Sequence, residues 1–318
     1  MEGHYSKKQE EYMDNIHLPD SACNSKWEDT LYNPLRGNID DLLKNSSTDS
    51  ILYIGCGPDA PLFNCNLNKR STLNNLNKIT FSDISLKYLK DCKTKMNGLR
   101  KKLKYVQEDI TQGLAEYYFF IMKRIFKYCD SAADLQTKLE DANKSITFLL
   151  DNYPCDSDDL NNDLYHFIYS EMVATYTGIP TITFCEKELK QLRSKGFISH
   201  EDAESLNKLV LEIWRKYNDK VLENHITNLT TRLKPNGIIV IATDIEKVFD
   251  DPAIESISSI NTQLSKLIFN DIQPITSLNA DDFIEWDDSI RNDNLNINSP
   301  SLKPHFHKVV TLAYKKVA

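Results

Sequence analysis

Short apolar runs, separated by stretches with helical periodicity, make up the first half of the chain. The runs lie at 51–54, 79–82, 103–106 and 164–169. Between the second and third runs, Leu86, Leu89 and Met96 form the apolar face of a lysine-rich amphipathic stretch. Short strands that alternate with helices are typical of a parallel sheet with right-handed crossovers, so these residues predict a βαβαβ arrangement.

Helical patterns separate the third run from the fourth and also follow the fourth. Residues 117–128 and a stretch near 135–142 have helical spacing, and a longer apolar periodicity covers 206–233. Ser199, with Asp202 three residues later, forms a weakened capping box at the start of the longer helix. We therefore expect helical insertions on both sides of the fourth strand.

Turn and strand signals organise the end of the chain. Lys-Pro-Asn-Gly at 234–237 ends the long helix and begins the strand 238–242. Apolar residues at helical spacing predict another helix over 248–270. The strands 283–286 and 307–314 are joined by an Asn-rich loop without a crossover helix, so we expect an antiparallel hairpin appended to the parallel sheet.

Composition places the chain among folded proteins. Its 318 residues are 41% hydrophobic and 26% charged, which is long and apolar enough to bury at least one sizeable core. The length fits two domains or one elaborated α/β domain equally well. A formal charge of -8 disfavours a partner with a phosphate backbone or an acidic membrane surface.

The cysteines and the first residues indicate the compartment. Seven cysteines without a Cys-x-x-Cys pair, and a Lys/Glu-rich beginning without an apolar leader, predict a reduced, cytoplasmic protein. No stretch approaches the roughly 18 apolar residues of a membrane span. His305 and His307 alternate along a predicted strand without further ligands at zinc spacing, so no metal site is expected.

Candidate chemistry lies just after the predicted strands, where open α/β sheets bind their ligands. Gly55 and Gly57 follow the first strand and permit a tight turn with close backbone approach. Asp83 follows the second strand and offers two acceptor oxygens to adjacent ribose hydroxyls. After the third strand, Asp109 can accept from an exocyclic amine, and Ile110 can lie against the flat face of a base.

Each of these signals, taken alone, has another explanation. The Gly55-Cys56-Gly57 turn with Ala60 also fits a relaxed dinucleotide fingerprint, which leaves a nicotinamide-dependent oxidoreductase open. An Asp at a strand end, such as Asp83, fits a purely structural turn equally well. The ordered set is more specific, because it combines a glycine turn, acids after the next two strands, a Pro-Asn-Gly strand start and a terminal hairpin.

This ordered set resembles the class I S-adenosylmethionine-dependent methyltransferases. The residues that carry the resemblance lie at 51–58 (Ile-Leu-Tyr-Ile-Gly-Cys-Gly-Pro), 81–85, 107–110 and 233–242. The resemblance implies an α/β fold: a Rossmann-like, doubly wound, mostly parallel seven-stranded sheet whose last strand runs antiparallel between its neighbours, with a C-terminal antiparallel hairpin and helical insertions. It also implies S-adenosyl-L-methionine as the cofactor.

The resemblance implies roles for individual residues as well. The implied cofactor-binding residues are Tyr53, Gly55, Cys56, Gly57, Pro58, Asp83, Ile84, Asp109, Ile110 and Glu171. Glu171, just after the fourth strand, is the candidate catalytic base or orienting group. Tyr53 stands where the family usually has an acid. Tyr-Ser-Glu-Met after the fourth strand replaces the Asn/Asp-Pro-Pro-Tyr motif of nucleic-acid and protein amide methyltransferases.

The predicted organisation is an N-terminal helical arm at 1–45 and a methyltransferase-like domain at 46–318. Helical insertions at about 113–147 and 184–232 are expected to form a lid. The expected function is N- or O-methylation of a small molecule. A protein acceptor, a non-catalytic interaction module of the same fold and an NAD-dependent oxidoreductase are the alternatives. Neither nucleic acid nor a membrane is expected as a partner, and the oligomeric state stays open.

Overall fold

The computed structural model describes residues 7, 48–57, 60, 76–96, 103–153, 163–171, 177–249, 254–256, 272–275, 280–286 and 305–317. Apart from Lys7, the predicted arm at 1–45 lies outside these residues, as does Pro58 of the glycine turn. The boundary between the arm and the predicted domain therefore stays a prediction.

Nine strands form one sheet within the described part of the chain. They are β1 (Ser50–Ile54), β2 (Lys78–Asp83), β3 (Leu103–Gln107), β4 (Tyr165–Glu171), β5 (Leu233–Phe249), β6 (Ile254–Ser256), β7 (Ile272–Pro274), β8 (Ala280–Trp286) and β9 (His305–Lys316). The order across the sheet is β3-β2-β1-β4-β5-β9-β7, while β6 pairs with β5 and β8 pairs with β9.

Strand directions agree with the predicted fold class. Parallel pairing joins β1 to β2 and β4, β2 to β3, and β4 to β5. Strand β9 is antiparallel to both β5 and β7, so it runs antiparallel between its neighbours. Strands β8 and β9 form the C-terminal antiparallel hairpin. The mostly parallel seven-stranded path and its closing hairpin are confirmed, and β6 and β8 add to that path.

Five helices accompany the sheet in the described ranges: α1 (Leu86–Lys95), α2 (Leu114–Lys127), α3 (Ala132–Asp151), α4 (Ile179–Ser194) and α5 (His200–Thr231). Helices α2 and α3 connect β3 to β4, and α4 and α5 connect β4 to β5; we call α2–α5 the helical layer. The helix predicted near 135–142 is longer, because Ser131 caps it and Ile146 continues its buried face. The capping box of Ser199 and Asp202 is complete. None of these helices is long and apolar enough to cross a membrane.

The helix predicted over 248–270 is wrong in the part that the structure describes. Phe249 ends the strand β5, and β6 pairs antiparallel with residues 246–248 of that strand. A short apolar run satisfies helical and strand spacing alike. The exposed backbone edge of β5, which needs hydrogen-bond partners, favours the strand here.

Three hydrophobic cores stabilise this arrangement. The first lies between the sheet and α1 and includes Ile51, Tyr53, Phe81, Leu89, Cys92, Phe167 and Tyr169. The second lies between the opposite sheet face and α5 and includes Leu52, Ile54, Ile168, Leu222, Ile226 and Ile239. The third lies within the helical layer, and its buried members include no strand residue. Helix α5 therefore belongs to two cores, with its first half in the helical layer and its second half on the sheet.

Candidate functional site

The turn after β1 carries the glycines predicted to approach a ligand. Gly55 and Gly57 have φ values of 72° and 55°, in the left-handed region that favours glycine. The amide of Gly55 donates to the carbonyl oxygen of Ser82 at 2.9 Å, which fixes the turn against the end of β2. A Cβ atom on Gly57 would meet no heavy atom of the described structure within 4 Å. No described residue therefore fills the space beside this glycine.

Asp83, at the end of β2, lies beside the glycine turn. One carboxylate oxygen accepts from the amide of Gly57 at 3.0 Å, and the other accepts from the amide of Ser85 at 2.9 Å. Ser85 in turn caps helix α1, because its hydroxyl oxygen accepts from the amide of Tyr88 at 3.1 Å. The structure thus brings together the predicted glycine turn and the predicted acid, and it joins both to the start of a helix.

Asp109, after β3, holds the turn that leads into α2. One oxygen accepts from the amide and the hydroxyl of Thr111 at 2.8 Å and 2.7 Å, and the other accepts from the amide of Gly113 at 3.0 Å. Gly113 has a φ of 85°, so the turn requires a residue tolerant of the left-handed region. Asp109 therefore holds this turn through its hydrogen bonds, and its predicted contact with the adenine of a cofactor stays a prediction.

The two isoleucines of the predicted site point into different cores. Ile110 is 8% exposed and belongs to the core between the sheet and α5. Ile84, next to Asp83, is partly buried and packs against the core of the helical layer. Ile84 therefore links the end of β2 to the inserted helices, a connection that the sequence pattern did not indicate.

Glu171 is the last residue of β4 and is 7% exposed. The hydroxyl of Tyr53 donates to its carboxylate. Tyr53 is paired with Tyr169 across β1 and β4, and side chains two residues apart lie on the same face of a strand. This register places Tyr53 and Glu171 together, although they are 118 residues apart in the chain. The contact with Tyr53 orients the carboxylate of Glu171, and the cofactor contacts expected of both residues stay predictions.

Cys56 lies inside the glycine turn and is buried. A hydrogen bond with the thiol of Cys92, together with burial, raises the pKa of the Cys56 thiol. A thiol that stays protonated is a poor nucleophile, so these contacts agree with the interpretation of Cys56 as a small filler of the turn.

A buried ion pair beside the predicted site was missed by the sequence interpretation. The guanidinium of Arg232 donates to both carboxylate oxygens of Glu108, at 3.3 Å for the Nη2–Oε2 contact. The hydroxyl of Ser82 donates to the same carboxylate at 3.1 Å. Both charged side chains are at most 5% exposed. The pair fixes the end of β3 to the residue that joins α5 to β5.

His225 of α5 contacts the end of β4 and was also missed. Its Nε2 atom lies 2.8 Å from the hydroxyl oxygen of Ser170, and both residues are buried. Burial, with the charge of Arg232 as a second cause, lowers the pKa of His225 to about 3. The imidazole is therefore neutral at physiological pH. His225 lies in the apolar stripe of α5. Helical spacing therefore predicts that it is buried, but it does not predict that Ser170 is its partner.

Within the described ranges, no three His, Cys, Asp or Glu side chains lie close enough to hold a metal ion. His166, near the start of β4, contacts the carboxylate of Asp49 at 2.6 Å, and Lys234 donates to that carboxylate at 3.0 Å. This group lies at the amino end of the parallel strands, away from the turns described above.

Comparison with known proteins gives structural likenesses only. No model of a protein family matches the chain, and no curated protein matches it. A solved S-adenosylmethionine-dependent methyltransferase from Leishmania major is 10% identical, with 98% of this chain and 83% of that chain covered, at a TM-score of 0.42. Another, from Clostridium acetobutylicum, is 11% identical over 98% of this chain and 99% of that chain, at a TM-score of 0.39.

A third solved structure, the N-methyltransferase NodS from Bradyrhizobium japonicum, is 9% identical over 90% of this chain and 98% of that chain, at a TM-score of 0.35. All three TM-scores lie below 0.5. The strand order and the contacts of this chain, and not these likenesses, carry the proposal below.

Proposed function

We propose that this protein is an S-adenosylmethionine-dependent methyltransferase that methylates a nitrogen or oxygen atom of a small molecule. The observation that carries the proposal is the contact between Asp83 and the amide of Gly57, 3.0 Å long, beside the open face of that glycine. The antiparallel strand β9 supports it, because the dinucleotide-binding alternative has the strand order 3-2-1-4-5-6 in a mostly parallel sheet.

The residues at the first two strand ends fit a nucleoside-containing cofactor. Gly57 leaves space for a close approach to the backbone. Asp83 is only partly buried, and a carboxylate of this kind has the acceptor oxygens that suit the two hydroxyls of a ribose. Asp109 would contribute through the turn that it holds, since its oxygens already accept from Thr111 and Gly113.

The chemistry that this chain must provide is modest. When bound, S-adenosylmethionine supplies a methyl group on a sulfonium, and the sulfur leaves as a neutral thioether. The protein then has to align the nucleophilic atom of the acceptor, exclude water and accept a proton where the acceptor carries one. Glu171 suits the last task, because Tyr53 orients its carboxylate at the end of β4.

The position of Glu171 favours a small acceptor over a protein. Glu171 is 7% exposed and Tyr53 is fully buried, so the carboxylate is recessed below the surface. An acceptor must therefore reach below the surface to contact this carboxylate, which is easier for a small molecule than for a side chain of a folded protein. The proposal therefore keeps a protein acceptor as the alternative.

Calorimetry with S-adenosylhomocysteine tests the cofactor part of the proposal. The wild-type chain is expected to bind, and Asp83→Ala to bind about 10- to 100-fold more weakly, because a hydrogen bond to a charged group contributes about 1.5–3 kcal/mol. Asp163→Ala is the matched control. Asp163 pairs with Lys78 and Lys104 just before β4, at the opposite end of the strands, so its loss should leave the affinity unchanged.

Three outcomes would change the proposal. A folded wild-type chain that does not bind, or an Asp83→Ala variant that binds as tightly as the wild type, would contradict it. Binding without methyl transfer to amine, hydroxyl or protein acceptors would favour a non-catalytic interaction module. A fluorescence titration in which NADH binds instead would favour the oxidoreductase.

A further inference from the structure

Four buried side chains at one junction of the helical layer have a polar atom without a hydrogen-bond partner. These atoms are Thr177 Oγ1, Thr181 Oγ1, Trp214 Nε1 and Asn218 Oδ1. The exposed fraction of these residues lies between 0% and 8%. Most buried polar groups in native proteins are bonded, and an unpartnered group destabilises the fold. Four of them together point to a bound molecule that supplies the partners.

Packing contacts bring these residues to the same place. Gly178, between the two threonines and before α4, lies against α5: a Cβ atom on it would be 2.5 Å from Cδ1 and Nε1 of Trp214 and 3.0 Å from Cε1 of Tyr217. The hydroxyl of Tyr217 donates to the carbonyl oxygen of Thr177 at 3.4 Å. Trp214 and Asn218 are one helical turn apart on α5, so both face the start of α4. We call this place the α4–α5 junction.

Helix α2 completes the junction from a third side. The ring of Tyr118 stacks on the ring of Tyr217 with 4.3 Å between centroids. Tyr118 is fully buried, and its hydroxyl also has no hydrogen-bond partner. A polar ligand at the junction would thus meet groups from α2, from the start of α4 and from α5.

The α4–α5 junction adjoins the carboxyl edge of the sheet. Thr177 follows Glu171, the end of β4, by six residues. Burial raises the pKa of Tyr217. Its ring stacks on Tyr118 of α2, the helix that follows the turn after β3. Ile84, after β2, packs against the same helical core. Three strand ends therefore lead toward the junction.

We propose that the α4–α5 junction binds the methyl acceptor, and that the acceptor is an uncharged small molecule with hydroxyl or carbonyl groups. This inference rests on the methyltransferase function proposed above and adds the place and chemical class of its second substrate. The unpartnered atoms of the junction provide the hydrogen bonds that orient the acceptor toward the strand ends.

The uncharged class follows from the buried residues nearby. Within the helical layer (114–153 and 177–231), the buried polar side chains that the structure describes are Thr177, Thr181, Asn218 and His225. His225 is neutral because burial lowers its pKa to about 3. A charged ligand would therefore find no buried counter-ion within the helical layer, and the buried carboxylate of Glu171, at the end of β4, already accepts from Tyr53. Burying an unpaired charge is strongly unfavourable. The indole N–H of Trp214 only donates and the Asn218 oxygen only accepts, so the ligand should offer both an acceptor and a donor.

Three probes of one size separate the effect of charge from that of shape. They are 4-hydroxybenzamide, which is uncharged, 4-hydroxybenzoate, which is anionic, and 4-hydroxybenzylamine, which is cationic. The melting temperature of the full chain is measured with each probe, in the presence and absence of S-adenosylhomocysteine. Only the uncharged probe is expected to raise Tm, because only its binding stabilises the folded state.

Threonine-to-valine variants then test the unpartnered atoms. Thr181→Val replaces a buried hydroxyl by a methyl group of similar size. We expect the free variant to melt at a higher temperature than the wild type, and its affinity for 4-hydroxybenzamide to fall at least about tenfold. Thr177→Val should behave in the same way. Thr227→Val is the control, since its exposed hydroxyl donates to the carbonyl of Glu223 at 2.8 Å, away from the junction.

The outcomes separate this inference from the function on which it rests. Failure of S-adenosylhomocysteine to bind overturns the proposed function and this inference with it. If S-adenosylhomocysteine binds and 4-hydroxybenzamide does not, or if the charged probes bind equally well, only this inference fails. Unchanged probe affinity in Thr181→Val and Thr177→Val overturns it too, because ordered water alone would then satisfy these atoms.

Discussion

The turns at the strand ends and the α4–α5 junction are neighbours, yet their polar groups differ in how they are satisfied. The carboxylate oxygens of Asp83 and Asp109 accept from backbone amides of the strand-end turns. At the junction, the hydroxyl of Thr181 and the indole N–H of Trp214 have no hydrogen-bond partner although both are buried.

This difference agrees with the two substrates proposed for the site. A turn whose hydrogen bonds are complete without a ligand is preorganised, and it loses little conformational freedom when a cofactor binds. A pocket whose polar groups need a ligand discriminates strongly among acceptors, because the wrong molecule leaves those groups unpaired. We infer that the sheet edge provides affinity for the cofactor and the junction provides selectivity for the acceptor.

The largest loss of stability should come from removing one partner of a buried, fully hydrogen-bonded pair at the strand ends. Glu108→Leu leaves the guanidinium of Arg232 buried without its carboxylate, and we expect the free energy of unfolding in urea to fall by about 3–5 kcal/mol. By contrast, Asp163→Ala removes an ion pair whose acid is 39% exposed, and it should cost about 1 kcal/mol or less.

The double variant Glu108→Leu/Arg232→Leu provides the control for Glu108→Leu. It removes both buried charges, so it should be more stable than Glu108→Leu alone. Equal losses for Glu108→Leu and Asp163→Ala would show that hydrogen-bond satisfaction at the strand ends contributes little to stability, and the comparison would lose its basis.

Sequence patterns could predict those parts of the site in which neighbouring strands bring local motifs together. The glycine turn and Asp83 each follow an apolar run, and the parallel pairing of β1 with β2 places them within a hydrogen bond. The turn role of Asp109 also has a local origin, because its partners Thr111 and Gly113 lie within four residues. Strand order and local turns therefore account for the predictable part.

The other part depends on contacts between distant residues. Glu108 and Arg232 are separated by 124 residues, and Tyr53 and Glu171 by 118, so no local spacing pairs them. Periodicity indicates that Trp214 is buried, but it does not show whether the indole N–H finds a partner. In its described part, the helix predicted over 248–270 was wrong because apolar spacing ignores the open edge of β5.

The pH dependence of stability tests the contribution of His225, which lies in the half of α5 that packs on the sheet. Burial lowers the pKa of His225 to about 3 in the folded chain, whereas an unfolded histidine titrates near its ordinary value of 6.5. Above pH 6.5 the imidazole is neutral in both states, and stability is unaffected. Below it only the unfolded chain binds the proton, so the free energy of unfolding should fall by about 2 kcal/mol between pH 6.5 and 4.5.

Urea unfolding of the wild type and of His225→Gln over this pH range measures that contribution. The variant lacks the titrating group, so its stability should fall less steeply on acidification. The two proteins are compared by their acid slopes and not by their stability at pH 7, because the variant also changes the contact with Ser170. The same acid slope in both proteins would mean that other groups, and not this buried imidazole, control acid unfolding.

The smallest expected effect tests whether the two regions unfold as one unit. Ser199→Ala removes the hydroxyl that accepts from the amide of Asp202 at 3.0 Å at the exposed start of α5, and losing such a cap costs about 1 kcal/mol. The helical layer has its own core, distinct from the cores on the two sheet faces. We therefore expect amides of α4 and the first half of α5 to exchange about fivefold faster with deuterium, and amides of β1, β2 and β4 to be unchanged. Equal acceleration in the strands would mean that the layer cannot open by itself, and an acceptor could then reach the α4–α5 junction only through a path that is already open in the folded chain.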